Sequence, residues 1–582
     1  MNNYSIIKNG QSDFHIVTSQ FAPYGELFAA SELQKYLYKS TDVFIPYFSD
    51  RCEKRGPEIC VGLQARDIGK TLSSDEISAL GEEGYCIKTI GENILIAGKT
   101  PRGTIYGVYG FLEKFLGFRC FTKDVEKIDK KSELGFNDIN ILEAPAFEYR
   151  EAYFRFAFEG DFAIKNKMNA NLAPIPIENG GHVKWYNCHH SFCDLLPPKV
   201  YGETHPEYYA LTEGVRNIVG QPCLSNPDVL SIVIEKVKTW IKENPNCKVF
   251  SVAQNDSDGY CMCPKCREID EYEGSPSGSI ITFVNKVAEE IEKDYPDVSI
   301  HTFAYMYSRT APKHVRPRKN VIVRLCNLEC PRGKAFEDYI ENESEQAEYA
   351  VEFVKNIKDW SKICKRLYIW DYAVNFKNYL QPFMPFTQMA KNIRLYKKYD
   401  IQGVLEQGNF SYGGGGALDD LKSYVIAQLL WNPDQNEEEL IDEFLHYVYA
   451  EGAPFIREYI DTIRNAQTEF HIFDYPDKEY FTDEIIEKCI NLFNLAKKAV
   501  KDEEIRRRID RESLSVEYVR VCKIDDEQNR EKAVDLFSKK VVEHKLTEIM
   551  ERTNLYDSFD YMKKSKYSRD RDGRYNLYYI IK

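Results

Sequence analysis

Most of the side chains able to do chemistry crowd into residues 250–266, which read FSVAQNDSDGYCMCPKC. Asp256 and Asp258 stand two apart, beside Gln254 and Asn255. On extended backbone that spacing turns both carboxylates to one face. Two carboxyl groups held close supply an acid and a base, because each charge raises the other group's pKa. The same letters also read as an Asx-rich turn that caps the next element. Two further acids end apolar runs: Asp371 with Tyr372 after 366–370, and Glu406 with Gln407 and Asn409 after 403–405. His189 and His190 sit in the polar, aromatic stretch 182–196. Each of these alone has a bland reading as an N-cap, a solvated turn or a satisfied core histidine. Acids recurring at the ends of several apolar runs read together as the rim of a site. Tyr305, Trp370, Tyr372 and Tyr412 flank the same positions, where aromatic faces stack on sugar rings or simply pack. Arg155 lies near the C-terminal end of the run 147–156, ahead of Arg150 and Glu151 as a substrate ligand.

Directly after the acids comes Cys261-x-Cys263-x-x-Cys266, with Cys-Pro-Lys-Cys similar to half of a zinc knuckle. A thiolate zinc site needs four ligands, usually in paired spacings. The fourth is open among Cys188, Cys223, His190, Cys326 and Cys330. The loop is therefore a candidate structural zinc site, and its alternative is a buried trio of free thiols. The HxE…PCxxC pattern of zinc deaminases is absent. No cofactor is expected for catalysis.

An acidic loop at the end of a hydrophobic strand needs a scaffold that delivers strand ends to one rim. The run 250–252 reads as such a strand, and Gly259 breaks the loop that follows. From about residue 147 onward, strand-like runs alternate with helical ones. Strands are expected at 147–156, 169–175, 299–305, 320–325, 366–370 and 403–405, with a poorly marked third strand among them. Helices are expected at 226–243, 279–294, 346–364 and 386–399. About eight such units over roughly 280 residues fit a (β/α)8 TIM-like barrel, an α/β fold with its site at the C-terminal ends of the strands. Ahead of it, residues 1–142 read as a small α/β domain, with a helix at 27–37 and a hairpin turning at Gly91-Glu92-Asn93. After 435 the strand signals stop, and 436–582 reads as a helical C-terminal domain. The barrel is then 143–435.

The chain has 582 residues, too many for one core. Its net charge of −14 argues against a nucleic-acid partner, whose phosphates need a basic footprint. No run approaches a membrane span, and the first residues lack a basic stretch followed by an apolar one. Sixteen scattered cysteines then read as reduced thiols, and a cytoplasmic protein is expected.

The segment RGTIYGVYGFLEKFLGFR, following AASELQKYL, resembles the domain that precedes the barrel in family 67 α-glucuronidases and family 20 hexosaminidases. The whole chain resembles most the bacterial DUF4838 proteins, some of them classed as glycoside hydrolase family 163. That resemblance implies a glycan substrate and cleavage at N-acetylglucosamine, as by an endo-β-N-acetylglucosaminidase. In family 67 the acid is the Glu of an ADSEG-like motif, and Asn255-Asp256-Ser257-Asp258-Gly259 is similar, with Asp258 where that Glu stands. Asp is one methylene shorter, which changes its reach. Asp371 and Glu406 then resemble the later pair that activates water with inversion. In acetamido-assisted families the pair is instead Asp256 with Asp258, or Asn255 with Asp256. The expectation is Asp258 as proton donor and Asp256 as its partner, with Glu406 and Asp371 as base or hydroxyl ligands. The alternatives are an inverting α-glucuronidase and a carbohydrate-binding barrel without catalysis.

Overall fold

The computed structural model describes residues 4–341 and 347–564. They form two compact units, each assembled from several stretches of chain. One gathers the described residues of 1–182 with 418–457 and 494–509; the other gathers 183–417, 458–493 and those from 510 onward. The division at 142 and 435 remains a proposal about chain segments.

In the first unit a six-stranded mixed sheet runs in the order Asn140–Glu143, Tyr85–Ile90, Asn93–Gly98, Glu58–Val61, His15–Thr18, Tyr47–Ser49. Gly91, at φ 62°, opens the tight turn of its hairpin. The helices Tyr24–Thr41 and Pro101–Leu116 pack on each other. The second starts where Thr100 accepts a hydrogen bond from the Gly103 N–H, with Pro101 in the first turn, and stops at Gly117 in the left-handed region. At Gly110 the Tyr85 ring leaves no room for a Cβ, which is why this helix is punctuated by glycine. The run expected as the first barrel strand forms Tyr149–Tyr153 in this unit. Its Arg150 is fully buried and pairs with Glu83, whose carboxyl that guanidinium and Arg102 hold below the usual range against the burial that raises it. Residues 169–175 are not a strand: Pro174 removes a ladder donor, and the Asn169 side chain is taken up by the Arg150 N–H and Glu83.

The second unit carries six parallel strands whose spatial order is their sequence order. They are β1 (Trp185–Tyr186), β2 (Val249–Ser251), β3 (Ser299–Ala304), β4 (Val321–Cys326), β5 (Leu367–Tyr372) and β6 (Gly403–Gln407). Between them run α1 (Pro227–Glu243), α2 (Pro264–Glu273), α3 (Ser277–Asp294), α4 (Ala347–Ser361) and α5 (Phe386–Lys398). Asn226 caps α1 by accepting from the backbone N–H groups of Asp228 and Val229. The alternation is that of a TIM-like barrel, as the sequence pattern predicts. Between β1 and α1 the chain forms an antiparallel hairpin, Tyr209–Thr212 with Val215–Pro222. Its turn residues Glu213 and Gly214 both have positive φ. A second hairpin, Glu548–Met550 with Thr553–Asn554, also belongs to this unit. No helix among the described residues is long and apolar enough to cross a membrane.

Candidate active site

Beyond β2 the acid loop is fixed residue by residue. The Ala253 carbonyl accepts from the backbone N–H groups of Ser191 and Phe192, both at 3.1 Å. The buried Gln254 side chain donates to the Tyr305 carbonyl (3.1 Å) and accepts from Ser308 Oγ. Asn255 is consumed by structure: its N–H donates to Gln221 Oε1 (2.9 Å), its amide to the Gly220 carbonyl (2.9 Å), and its Oδ1 accepts from the Cys193 N–H (2.9 Å). With every polar group spent, Asn255 serves as a positioning residue for Asp256.

The Asp256 side chain is 31% exposed, so it reaches solvent. Its Oδ1 accepts from the Tyr305 hydroxyl at 3.1 Å and lies 3.6 Å from His190 Nε2. A carbonyl can only accept, so the 2.6 Å contact between His190 Nδ1 and the Gln254 carbonyl puts the ring proton on Nδ1. Neutral His190 therefore presents a lone pair on Nε2 toward Asp256. Burial holds His190 below the ordinary histidine pKa, and the Asp256 charge opposes that shift. Burial, followed by the neighbouring His190, Arg324 and Arg552, holds His189 below the ordinary histidine pKa. The Tyr305 hydroxyl is pushed well up by burial and by Asp256, so it stays a donor.

A second carboxyl joins this group from the far end of the chain. Glu551 and Arg552 form the tip of the hairpin Glu548–Met550/Thr553–Asn554, and the Glu551 N–H donates to the Phe376 carbonyl at 3.2 Å. Burial raises the Glu551 carboxyl to about 7, with a further push from the Asp256 charge against the pull of Arg552. At neutral pH the site thus holds, beside Asp256, a carboxyl near half protonation. Sequence reading missed Glu551 because it lies in a segment read as wholly helical; its signal was the short Met550-Glu551-Arg552-Thr553 turn.

Asp258 is exposed and makes no hydrogen bond among the described residues. It lies near Tyr307, whose ring stacks with Tyr260 at 5.0 Å. Strand alternation separates the remaining candidates. Trp370 lies 5.8 Å from Phe303 and donates to Gln407 Oε1 at 2.7 Å, and Tyr372 packs in one buried cluster with Ala253, Phe303 and Tyr305. Asp371 is one residue from each and therefore turns to the opposite face, toward α5. There its Oδ1 accepts from Arg332 (2.7 Å) and Asn327 (2.9 Å), and its Oδ2 from the Tyr396 hydroxyl of α5. Glu406 sits opposite Asp371 in the β5–β6 register. It is 1% exposed, its Oε1 has no hydrogen-bond partner among the described residues, and burial with the Asp371 charge keeps it protonated well above the carboxylate range. The structure thus does not bring Asp371 and Glu406 together with Asp256. Tyr412, just before the four glycines at 413–416, is 72% exposed, and Arg155 belongs to the first unit, in a short 3-10 turn.

The floor beneath the acids holds residues of little prominence in the sequence. Arg324 lies 4.3 Å from the Trp185 ring centre and 5.4 Å from that of Trp370. His301, fully buried, meets Ser251 Oγ through Nδ1 at 2.8 Å and is held well below the ordinary histidine pKa by burial and by Arg324. Cys261, Cys263 and Cys266 are buried and converge with Cys223, so one of the open fourth partners is the one present.

Residues 120–461 match the family model described as a domain of unknown function, DUF4838, and residues 8–111 match the glycosyl hydrolase family 67 N-terminus. No curated protein matches the chain. Among solved structures, it is similar to a GH115 4-O-methyl-α-glucuronidase with specificity for decorated arabinogalactans. That likeness has 11% identity and a TM-score of 0.56, covering 93% of this chain and 77% of the other. A GH138 enzyme targeting pectin rhamnogalacturonan II follows at 12% identity and TM-score 0.49, covering 93% and 74%. A chitobiase of Flavobacterium johnsoniae shows 13% identity and TM-score 0.42, covering 92% and 94%. The first likeness is one of fold, in keeping with the parallel barrel strands. With more than half of its length matched by that one family model, the chain belongs to the DUF4838 family.

Proposed function

We propose that this protein is a glycoside hydrolase that cleaves beside an N-acetylhexosamine. The observation that carries the reading is Asp256, hydrogen-bonded by the Tyr305 hydroxyl, beside a Glu551 carboxyl that burial and the Asp256 charge raise to about 7. Two carboxyl groups with split protonation are what glycosidic cleavage requires. Glu551 gives its proton to the leaving oxygen as the bond to the anomeric carbon breaks. Asp256, steadied by Tyr305, accepts the N–H of the substrate's acetamido group and turns its carbonyl oxygen onto that carbon. Water then opens the cyclic intermediate, and Glu551 takes back a proton from it. This assigns the donor role to Glu551 in place of the exposed Asp258. Trp370 and Tyr305 supply aromatic faces to the sugar.

A second reading, a uronic acid as the sugar, is favoured by one observation. The charges of Arg324 and Arg552 both reach His189, giving the floor and the hairpin tip a basic character suited to a carboxylate. The deciding experiment is mass spectrometry of a complex N-glycan, a chitobiose oligosaccharide, aryl N-acetylglucosaminides and aryl glucuronides after incubation. Cleavage at N-acetylglucosamine is expected, and Asp256→Asn and Glu551→Gln each lower it by about two to four orders of magnitude. Release of glucuronate alone supports the second reading. A glycan bound but never cleaved, or full turnover in both variants, overturns the proposal.

A further inference from the structure

Thiols from two separate parts of the second unit meet in one small volume. The sulfurs of Cys223, Cys261, Cys263 and Cys266 all lie within 4.8 Å of one another, and all four residues are buried. Cys223 and Cys263 are 3.7 Å apart. Four ligands on a tetrahedron with metal–sulfur bonds of about 2.3 Å are separated by roughly 3.8 Å. The four thiols form one hydrophobic cluster with Ala210 and Leu211, so water has little part in solvating them. Donors are nevertheless aimed at the sulfurs. The Leu211 N–H lies 3.3 Å from Cys261 Sγ, Arg216 Nη1 lies 4.0 Å from the same atom, and Ser225 Oγ lies 3.4 Å from Cys263 Sγ while accepting from the Cys266 thiol at 3.2 Å. Cys263 stands at the N-cap of α2 and Cys266 in its first turn, where the helix dipole favours negative charge. A dry pocket ringed by N–H and O–H donors suits thiolates and a cation better than four neutral thiols.

We infer that Cys223, Cys261, Cys263 and Cys266 bind one structural zinc ion that staples the acid loop to the hairpin behind it. All four ligands come from the protein, so no open position is left for catalysis. The staple has a second point of attachment. Gln221, two residues before Cys223, donates to the carbonyls of Asn255 (2.9 Å) and Ser257 (2.8 Å) on either side of Asp256. The Met262 N–H donates to the Leu211 carbonyl at 2.8 Å on the same hairpin. The ion therefore closes a frame whose far side is the loop carrying Asp256. A disulfide between two of the thiols would leave the other two buried without a role, whereas a single tetrahedral ion uses all four.

The test uses the full chain, purified under reducing conditions without added metal. Elemental analysis is expected to give one zinc per chain, and X-ray absorption to give four sulfur neighbours at about 2.3 Å. After dialysis against a chelator, Cys223→Ser is expected to retain about tenfold less zinc than the wild type, and Cys364→Ser, a buried cysteine outside the cluster, to retain it in full. Folded wild-type protein with substoichiometric zinc, with iron in its place, or with a disulfide among the four cysteines overturns the inference. Because the wild type decides the matter, a Cys223→Ser chain that fails to fold leaves the test intact, and no reading depends on glycosidase activity.

Discussion

Asp256 and Glu551 are read as a pair because their surroundings differ. Asp256 receives a hydroxyl donor and faces water, whereas Glu551 sits at a hairpin tip where burial opposes its charge. A carboxyl raised to about 7 stays protonated across the weakly acidic range and loses its proton above it. If Glu551 is the donor, kcat/KM is expected to hold between about pH 5 and 6.5 and fall as pH rises through 7. The same shift has a sign for stability. The folded state binds this proton more tightly than the unfolded chain, so the contribution is present at low pH and lost as pH rises from the ordinary carboxylate range through about 7. Measured as melting temperature from pH 5 to 8, the wild type is expected to decline against Glu551→Gln. The residual activity of that variant is expected to lose its alkaline limb. An unchanged alkaline limb in Glu551→Gln would return the donor role to Asp258, which the sequence motif favours and which Asp258→Asn then tests.

At the scale of the strands, one residue of phase decides which acids meet the cleft. Trp370 and Tyr372 are one position from Asp371 on β5, so their face excludes it, and the register carries Glu406 to the same buried side. Asp371→Asn deprives the buried Arg332 of its counter-charge and is expected to cost about 3–5 kcal/mol in denaturant unfolding. Glu406→Gln replaces one neutral polar group by another and is expected to change stability by less than about 1 kcal/mol. Both are expected to leave turnover per folded molecule near the wild type. An Asp371→Asn chain of wild-type stability without turnover would place these residues in the chemistry after all. The strands and helices themselves were legible in the sequence, because apolar runs ending in polar loops repeat from 249 to 407. Legible too was the acid loop, since Asn255 and Asp256 follow within a few residues of a buried strand. The face of each strand end was not. With only five or six residues buried on both sides, periodicity cannot tell which neighbour points inward. The two hairpins were missed for another reason. Glu213-Gly214 and Glu551-Arg552 are weak turn signals, and the partners they bring together, Cys223 with Cys261 and Glu551 with Asp256, are far apart in sequence.

At the scale of the whole molecule, the barrel strands of the second unit do not stand alone. Segments beyond residue 457 return to them and satisfy backbone donors. The N–H groups of Arg332, Phe376 and Tyr379 donate to the carbonyls of Phe470 (2.8 Å), Ile472 (2.8 Å) and Ile549 (2.9 Å). The Asn375 amide donates to the Asp474 carbonyl at 2.8 Å, and Arg511 donates to the Gly413 carbonyl at 2.8 Å. Leaving buried donors unmet costs about 1–3 kcal/mol each. Several at once rival the whole stability of a domain, about 5–15 kcal/mol. A chain ending at Arg457 is therefore expected to lose the packed barrel along with Glu551. Tryptophan fluorescence reports this directly, because Trp185, Trp240, Trp360 and Trp370 belong to the second unit and only Trp431 to the first. The truncated chain is expected to emit at longer wavelength, to be quenched freely by acrylamide, and to melt without a cooperative step. Retention of the full chain's emission maximum and melting transition would show that residues 183–417 fold without their return segments. The C-terminal stretch would then be a separate helical domain, as the composition of the sequence suggests.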